Sequence, residues 1–212
     1  MEAAENWDSV SQLVQSKVPA LVQNLLSLEE GYEGWEDLGT IKEIEGTRLM
    51  TESGLYVVRA KGIIPAGPEE ILALVSDLER KKLWDPMFVE GRVVKEFTPD
   101  LKVNYQHFYA PWPVSHRDFV FMSAVHREAD GTIVYTGTSI DLPWMPDVSG
   151  LVRGEMVRGG FILRPLGDRE TKVTYLVHVD PRGMLPTMIV NKFQRSQTAN
   201  VYKIKKIYLQ PS

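Results

Sequence analysis

The chain has 212 residues, with 24 lysines and arginines against 28 aspartates and glutamates, a net charge of −4, and no cysteine. This balance argues against a nucleic-acid partner, which requires a basic face, and the missing cysteines exclude disulfides, thiolate catalysis and cysteine-ligated metals. No segment reaches the roughly 18 uncharged apolar residues of a membrane span, and the N-terminus lacks a signal-like apolar run. The sequence therefore predicts a soluble, cytoplasmic protein.

The first predicted element is an amphipathic helix over residues 7–29, because apolar residues recur there at helical spacing. Pro19 lies inside this pattern and is expected to kink the helix. We expect the N-terminal segment 1–29 to pack on a domain formed by residues 30–212, which together make a single structural domain.

A series of strands follows the first helix. The first three are predicted around Ile41 and Ile44, from Arg48 to Thr51 and from Leu55 to Ile64, with turns at Glu45-Gly46 and Ser53-Gly54. A short helix is then predicted after Pro68, which has acids in its first turn. Six more strands are predicted at Phe88–Phe97, Leu101–Tyr109, Arg117–His126, Thr132–Ile140, Gly150–Arg164 and Thr171–Val179. About nine strands with grouped helices indicate an α+β protein with an antiparallel sheet.

A long closing helix is predicted from Thr187, after a turn that contains Gly183 and Pro186. Its apolar stripe, interrupted at Gln197, comprises Leu185, Ile189, Phe193, Val201, Ile204 and Tyr208. The rest of the helix is basic and has no acid, with Lys192, Arg195, Lys203, Lys205 and Lys206. Two interpretations are open: a lid that meets anionic lipid head groups, or a terminal helix with a solvated basic face.

Alternation of side chains along the strands groups apolar residues with a few hydrogen-bonding ones on single faces. These sets are Asn104, Gln106 and Phe108; Phe119, Phe121 and Ser123; Thr136, Thr138 and Ile140; Val157, Gly159 and Phe161; and Val173, Tyr175 and Val177. Such a composition is typical of a ligand cavity, but also of a sheet face that is filled by packed helices.

The sequence contains no convincing catalytic or metal-binding motif. His116-Arg117-Asp118-Phe119 looks like part of a kinase catalytic loop, but Ser123 stands where that loop needs an asparagine. We expect Arg117 and Asp118 to form a structural charged pair that fixes the loop around Pro111 and Pro113. The four histidines lack metal-ligand spacing, so no catalytic residue, metal or cofactor is predicted.

Four short motifs, in this order, resemble those of the START (StAR-related lipid-transfer) domain family. They are Trp84-Asp85-Pro86; Arg117-Asp118-Phe119-Val120; Ser149-Gly150-Leu151-Val152-Arg153; and Asp180-Pro181 with Gly183, Pro186 and Asn191. The resemblance covers residues 30–209 and implies a helix-grip fold, in which a curved antiparallel sheet and a C-terminal lid helix enclose one lipid.

The resemblance leaves the class of lipid open. Asn104 and Ser123 stand on the strands where sterol carriers have a buried acid and arginine. The head-group positions of the phosphatidylcholine carrier are occupied by Lys81, Gln106, Val157 and Val177.

From these observations we predict a monomeric, non-enzymatic protein that binds one lipid or other hydrophobic small molecule and transfers it between membranes. The predicted ligand contacts are Asn104, Gln106, Phe108, Phe121, Ser123, Thr138, Val157, Phe161, Tyr175, Val177, Ile189 and Phe193. Lys203, Lys205 and Lys206 are predicted to contact an anionic membrane during transient peripheral association. The alternatives are a lipid sensor or adaptor, and a cyclase- or hydrolase-like enzyme on the same fold, with Glu155 as its acid.

Overall fold

The structure, a computed structural model, describes residues 5–209. The helices in this range are α1 Trp7–Glu30, α2 Pro68–Val75 and α3 Thr187–Leu209, with a short 3₁₀ turn at Lys81–Leu83. The strands are β1 Glu36–Ile41, β2 Ile44–Met50, β3 Tyr56–Ile64, β4 Phe88–Thr98, β5 Leu101–Phe108, β6 His116–Arg127, β7 Ile133–Ser139, β8 Leu151–Arg153, β9 Glu155–Gly167 and β10 Glu170–Asp180. Residues 1–4 of the predicted N-terminal segment and residues 210–212 of the predicted domain lie outside the described range.

The strands form one sheet in the order β1-β2-β3-β10-β9-β7-β6-β5-β4, with β8 paired to β6. Neighbouring strands are antiparallel except for β8, which runs parallel to β6. The predicted α+β class is confirmed as a helix-grip fold with a large curved sheet and a helix at each end of the chain. The structure has one strand more than predicted because the Gly150–Arg164 segment is divided at Gly154.

The two faces of the sheet are covered by different helices. On the outer face, α1 buries Val10, Val14, Leu21, Val22, Leu25 and Leu28 against the strands. Its first turn is capped by Asn6, whose side chain accepts a hydrogen bond from the backbone N–H of Ser9. On the inner face, α2 and the C-terminal half of α3 pack into a second core. The face between them and the strands is therefore the place where a cavity can form.

The predicted turn at Glu45-Gly46 is wrong. The turn between β1 and β2 lies at Lys42 and Glu43, whose φ angles of 48° and 70° fit a two-residue hairpin turn. Gly46 lies within β2, and a Cβ atom there would come within 2.2 Å of Oγ1 of Thr198 on α3. The glycine thus permits close packing of α3 on the sheet, whereas the predicted turn at Ser53-Gly54 is present.

The last helix begins at Thr187, as predicted, and its two halves differ in burial. Val201 and Ile204 are fully buried in the inner core, whereas Ile189 and Phe193 are half-buried. Gln197, the polar interruption in the predicted stripe, is also buried. The N-terminal half of α3 therefore covers something other than a tightly packed core.

Candidate functional site

A cavity of about 570 Å³ lies between the inner face of the sheet and the N-terminal half of α3. Its walls are mostly apolar and aromatic, with a few polar groups from the sheet and from the helix. The aromatic residues are Tyr56, Phe108, Tyr109, Phe119, Phe121, Tyr135, Phe161, Tyr175 and Phe193. The polar and charged ones include Arg48, Lys81, Asp85, Gln106, Arg117, Ser123, Gln194 and Gln197. This combination of apolar walls and few polar groups is suited to an amphiphilic ligand.

Most of the predicted ligand contacts meet around this cavity. Those that line it are Gln106, Phe108, Phe121, Ser123, Phe161, Tyr175, Val177, Ile189 and Phe193. Asn104, Thr138 and Val157 do not line it. Asn104 is buried on the same sheet face as Gln106, and its Nδ2 donates to Oγ of Ser123 at 2.8 Å. It therefore holds the Ser123 hydroxyl in place.

Thr138 lies on the opposite side of the sheet from the cavity. The residues of β7 that were predicted to point inward therefore point outward, and their neighbours point inward. Gly137 pairs with the cavity residue Ser123, while Thr138 pairs with Met122, which packs under α1. Directly paired residues share a face, so Tyr135 and Gly137 point inward and the Thr138 side chain does not. Its hydroxyl instead donates to the carbonyl of Val157 at 2.9 Å.

Val157 is displaced from the cavity by a β-bulge. His178 pairs with Arg158 and Val179 pairs with Met156, so Val157 is the extra residue on β9. Met156 takes the inward position, and Glu155, predicted to point inward, is a half-exposed residue that pairs with Arg182 at 3.1 Å. The acid proposed for an enzyme on this fold is therefore outside the cavity.

An aromatic wall forms one side of the cavity. The rings of Phe161 and Tyr175 are stacked with centroids 4.3 Å apart, and Trp84 meets both rings edge-on. Burial raises the pKa of Tyr175 far above its usual range, and it raises the pKa of Tyr135 as well. Both phenols therefore remain neutral hydrogen-bonding groups inside the cavity.

Lys81 brings a cation to the cavity wall. Its Nζ lies 4.5 Å from the centre of the Trp84 ring and 5.8 Å from those of Phe88 and Phe108. Burial lowers the pKa of Lys81, whereas the charge of Asp85 opposes that shift. In the sequence, Lys81 could be singled out only by its match to a family position, because composition does not distinguish a half-buried lysine from a surface one.

Two arginines in the cavity wall hold the first part of α3. Arg48 on β2 donates from Nη1 to Oε1 of Gln194 at 2.9 Å and to Oδ1 of Asn191 at 3.3 Å. Arg117 donates to the carbonyls of Pro181 and Arg182 in the segment before α3, at 3.1 and 3.0 Å.

The predicted pair between Arg117 and Asp118 is wrong, since neighbours along a strand point to opposite faces. Asp118 is fully buried and pairs instead with Arg153, at 3.0 and 2.9 Å. Arg117 does hold the loop before β6, through the carbonyl of Ser115, as well as the segment that leads into α3.

The three C-terminal lysines do not form a shared free surface. Lys205 pairs with Glu43 at 2.6 Å, and its side chain is only 13% exposed. Lys203 is half-buried, and burial lowers its pKa while Asp85 opposes the shift. Lys206 alone among the three is classed as exposed.

Three exposed apolar side chains next to the cavity wall were not predicted. Trp112, in the loop between β5 and β6, is 91% exposed, and Met184 and Met188 around the start of α3 are 99% and 75% exposed. Each is adjacent in sequence to a residue of the cavity wall, Pro111, Leu185 and Thr187 respectively. The position of Trp112 between two prolines in a loop could have indicated an exposed side chain. The sequence could not show that the segments next to these three residues line one cavity.

Residues 5–209 contain neither a membrane-spanning helix nor a cluster of metal ligands. No helix in that range is long and apolar enough to cross a membrane. The same residues contain no group of three or more histidine, aspartate or glutamate side chains that could hold a metal ion.

Comparisons with known proteins place the geometry in a family context. A family model described as the START domain matches residues 18–211. START domain-containing protein 10 of Mus musculus and Homo sapiens is 31% identical over 146 residues, which are 68% of this chain and 48% of that protein. This chain therefore spans about half the length of that relative.

Two further matches cover at least 80% of the chain. Phosphatidylcholine transfer protein of Bos taurus is 28% identical over 174 residues, 80% of this chain and 81% of that protein. The structure of human StAR-related lipid transfer protein 5 superposes with a TM-score of 0.84 at 24% identity, covering 93% of this chain and 97% of that one. The structural match supports the fold.

Proposed function

This chain belongs to the START domain family, and from that premise we propose that it binds one lipid or other hydrophobic small molecule and transfers it between membranes. The observation that carries the proposal is the apolar cavity of about 570 Å³ under α3. Exposing one methylene to water costs about 0.8 kcal/mol, so a chain of roughly 16 carbons costs about 12 kcal/mol. A carrier must therefore enclose such a ligand in transit and release it at a membrane surface.

The positions of the acidic residues favour a lipid carrier over an enzyme. Glu155, the acid considered for a cyclase or hydrolase, lies outside the wall in an ion pair with Arg182. Asp85, which does line the cavity, accepts a hydrogen bond from the Met87 backbone at 3.1 Å and lies near Lys81. Two of the relatives, phosphatidylcholine transfer protein and StAR-related lipid transfer protein 5, are named for lipid transfer, which favours the same function for this chain.

Release at a membrane is supported by three exposed apolar side chains. Trp112, Met184 and Met188 are exposed next to residues of the cavity wall, where a ligand could enter and leave, and exposed tryptophan favours the membrane–water interface. We infer that this end of the molecule contacts the membrane during transient peripheral association. The basic end of α3 is a weaker candidate, since Lys205 is already paired with Glu43.

The test combines native mass spectrometry with a transfer assay. We expect the purified protein to carry an amphiphile at one to one and to move a fluorescent acyl lipid between vesicles of phosphatidylcholine, phosphatidylserine and cholesterol. Val177→Trp, which fills part of the cavity, should reduce both signals severalfold, whereas the exposed-strand control Val93→Trp should reduce neither. A protein that carries no adduct and transfers no lipid would contradict the proposal, and adduct without transfer would favour a sensor or adaptor.

A further inference from the structure

We propose that the cavity selects amphiphiles whose head group is an anion, a phosphate or a carboxylate without a quaternary ammonium, and that Lys81 is its counter-ion. This inference rests on the proposed function, because it names the ligand class of the same cavity. It follows from three features of the site around Lys81: an occupied aromatic box, two polar groups without protein partners, and an excess of positive charge.

The aromatic box is occupied by the protein's own cation. Trp84, Phe88 and Phe108 surround Nζ of Lys81 within 6 Å, which is the range in which aromatic faces attract a cation. Boxes of this kind bind the quaternary ammonium of choline when they are open to a ligand. Here a choline group would have to displace the ammonium of Lys81 or lie beside it, and two like charges repel.

Lys81 has donors to offer to a ligand. An ammonium carries three N–H groups, yet within residues 5–209 that of Lys81 has neither an ion pair nor a hydrogen bond. The other lining cations differ in this respect: Arg48 is bonded to Glu36 and Gln194, and Arg117 to backbone carbonyls. A half-buried ammonium without an ion pair or hydrogen bond is poorly compensated, so an anionic group beside Lys81 would stabilise its charge.

Gln106 adds a neutral polar contact in the same part of the cavity. It is only 4% exposed and lines the cavity, and within the described residues its amide makes no hydrogen bond. It lies two residues from Phe108 on β5, and therefore on the same strand face as a ring of the box. An amide can donate to a phosphate or carboxylate oxygen while its own oxygen accepts from a hydroxyl.

The net charge around the box is positive. Asp85 is the acid in the described part of the cavity wall, and it interacts with both Lys81 and Lys203. Two ammonium groups against one carboxylate leave an excess of one positive charge, even though the chain as a whole is at −4. Because Asp85 is flanked in this way, we expect it to attract a ligand ammonium less than Lys81 attracts an anion.

The test compares ligands that share acyl chains and differ in head group. Binding is measured in solution by displacement of a fluorescent fatty acid, with phosphatidic acid, a fatty acid, phosphatidylcholine and inorganic phosphate as competitors. We expect phosphatidic acid and the fatty acid to bind at least tenfold more tightly than phosphatidylcholine. Inorganic phosphate at millimolar concentration should not compete, because it lacks the chain that fills the apolar part of the cavity.

Lys81→Met should weaken the binding of phosphatidic acid at least tenfold and leave phosphatidylcholine unchanged or improved. Lys82→Met is the matched control. Lys82 is the next residue and its side chain is exposed, so this substitution should change neither affinity. The loss should persist at high salt, because a buried contact is screened less than a surface one. Circular dichroism checks that each variant is folded, and Lys81→Gln is the substitute if the methionine variant is not.

The outcomes separate this inference from the proposed function. Equal binding of phosphatidic acid and phosphatidylcholine, or an unchanged preference in Lys81→Met, would overturn the selectivity while leaving lipid binding intact. Competition by inorganic phosphate alone would indicate a free-anion site and would also overturn it. A protein that binds none of the amphiphiles would contradict the proposed function itself.

Discussion

Glu29 is a fully buried acid that fixes the end of α1 to the outer face of the sheet. Its Oε2 accepts two hydrogen bonds from Arg164 on β9, at 2.9 and 2.7 Å, and its Oε1 accepts one from Thr174 on β10 at 2.9 Å. The hydrogen bond from Arg164 to Glu29 raises the pKa of Arg164, so the guanidinium stays charged. The last carbonyls of α1 also accept from Arg59, where cations complement the helix dipole.

Replacement of Glu29 by alanine should therefore destabilise the fold by about 3 kcal/mol, since it leaves Arg164 without its partner in a partly buried site. Glu30→Ala is the matched control. Glu30 is the next residue, exposed and 3.6 Å from Lys172, and such surface pairs are worth below about 1 kcal/mol. Urea unfolding of both variants measures the difference, and equal losses would mean that the buried acid has no special role.

The α3 helix behaves as two elements with different attachments. Its C-terminal half is held by fully buried apolar side chains, Val201 and Ile204, in the inner core. Its N-terminal half is held mainly by polar contacts over the cavity, above all those from Arg48 to Asn191 and Gln194. Polar contacts at a cavity edge exchange readily with water, so the first half is the part that can open while the second remains docked.

Arg48→Met should loosen the N-terminal half of α3 selectively. A hydrogen bond to a charged group contributes about 1.5–3 kcal/mol, so opening of residues 187–197 should become about tenfold more frequent or more. Hydrogen exchange should accelerate there and stay unchanged around Val201, and ligand release should speed up. Arg195→Met, an exposed arginine on the same helix, is the control. Uniform acceleration along α3 would show that the helix opens as one unit.

The helices and strands were predictable because burial on one side gives each a periodic pattern of apolar residues. In two strands, β7 and β9, the sequence did not show which residues point toward the cavity. In β7 the inward position is occupied by Gly137, where a Cβ atom would approach the Met122 carbonyl to 2.6 Å. Because glycine has no side chain, its polarity does not show which face of the strand it lies on. In β9 a single bulge at Val157 reverses the alternation toward Glu155. The sequence therefore predicts which residues line the cavity only where the strands are free of such local irregularities.

At the scale of the whole molecule, the surfaces at the two ends of α3 differ. The N-terminal end, which we infer to be the mouth of the cavity, presents Met184 and Met188 to solvent, and Trp112 is exposed in the loop next to the cavity-lining Pro111. The C-terminal end presents Lys206, while Lys203 and Lys205 face Asp85 and Glu43. Sequence alone favoured the basic end for membrane contact, because charge is visible in a sequence and the convergence of three separate segments is not.

The two ends can be compared directly in one vesicle-binding and transfer assay. Trp112→Ser with Met188→Ser removes two exposed apolar side chains, each worth about 1.5–3 kcal/mol when buried, so membrane affinity and transfer should fall at least tenfold. That loss should be nearly independent of salt, because it comes from apolar burial. Tyr32→Ser, which removes an aromatic ring that is 52% exposed elsewhere, should have little effect.

Charge reversal of Lys203, Lys205 and Lys206 to glutamate should have a smaller effect on docking, since two of these lysines already interact with protein acids. Any effect that remains should fade as salt rises, because exposed charges are screened beyond roughly 8 Å at physiological ionic strength. The opposite order, with a steep salt-dependent loss in the lysine variant and none in the Trp112 variant, would assign the membrane contact to the basic end. In that case the lid helix would dock through its C-terminus, and the cavity mouth would point away from the bilayer.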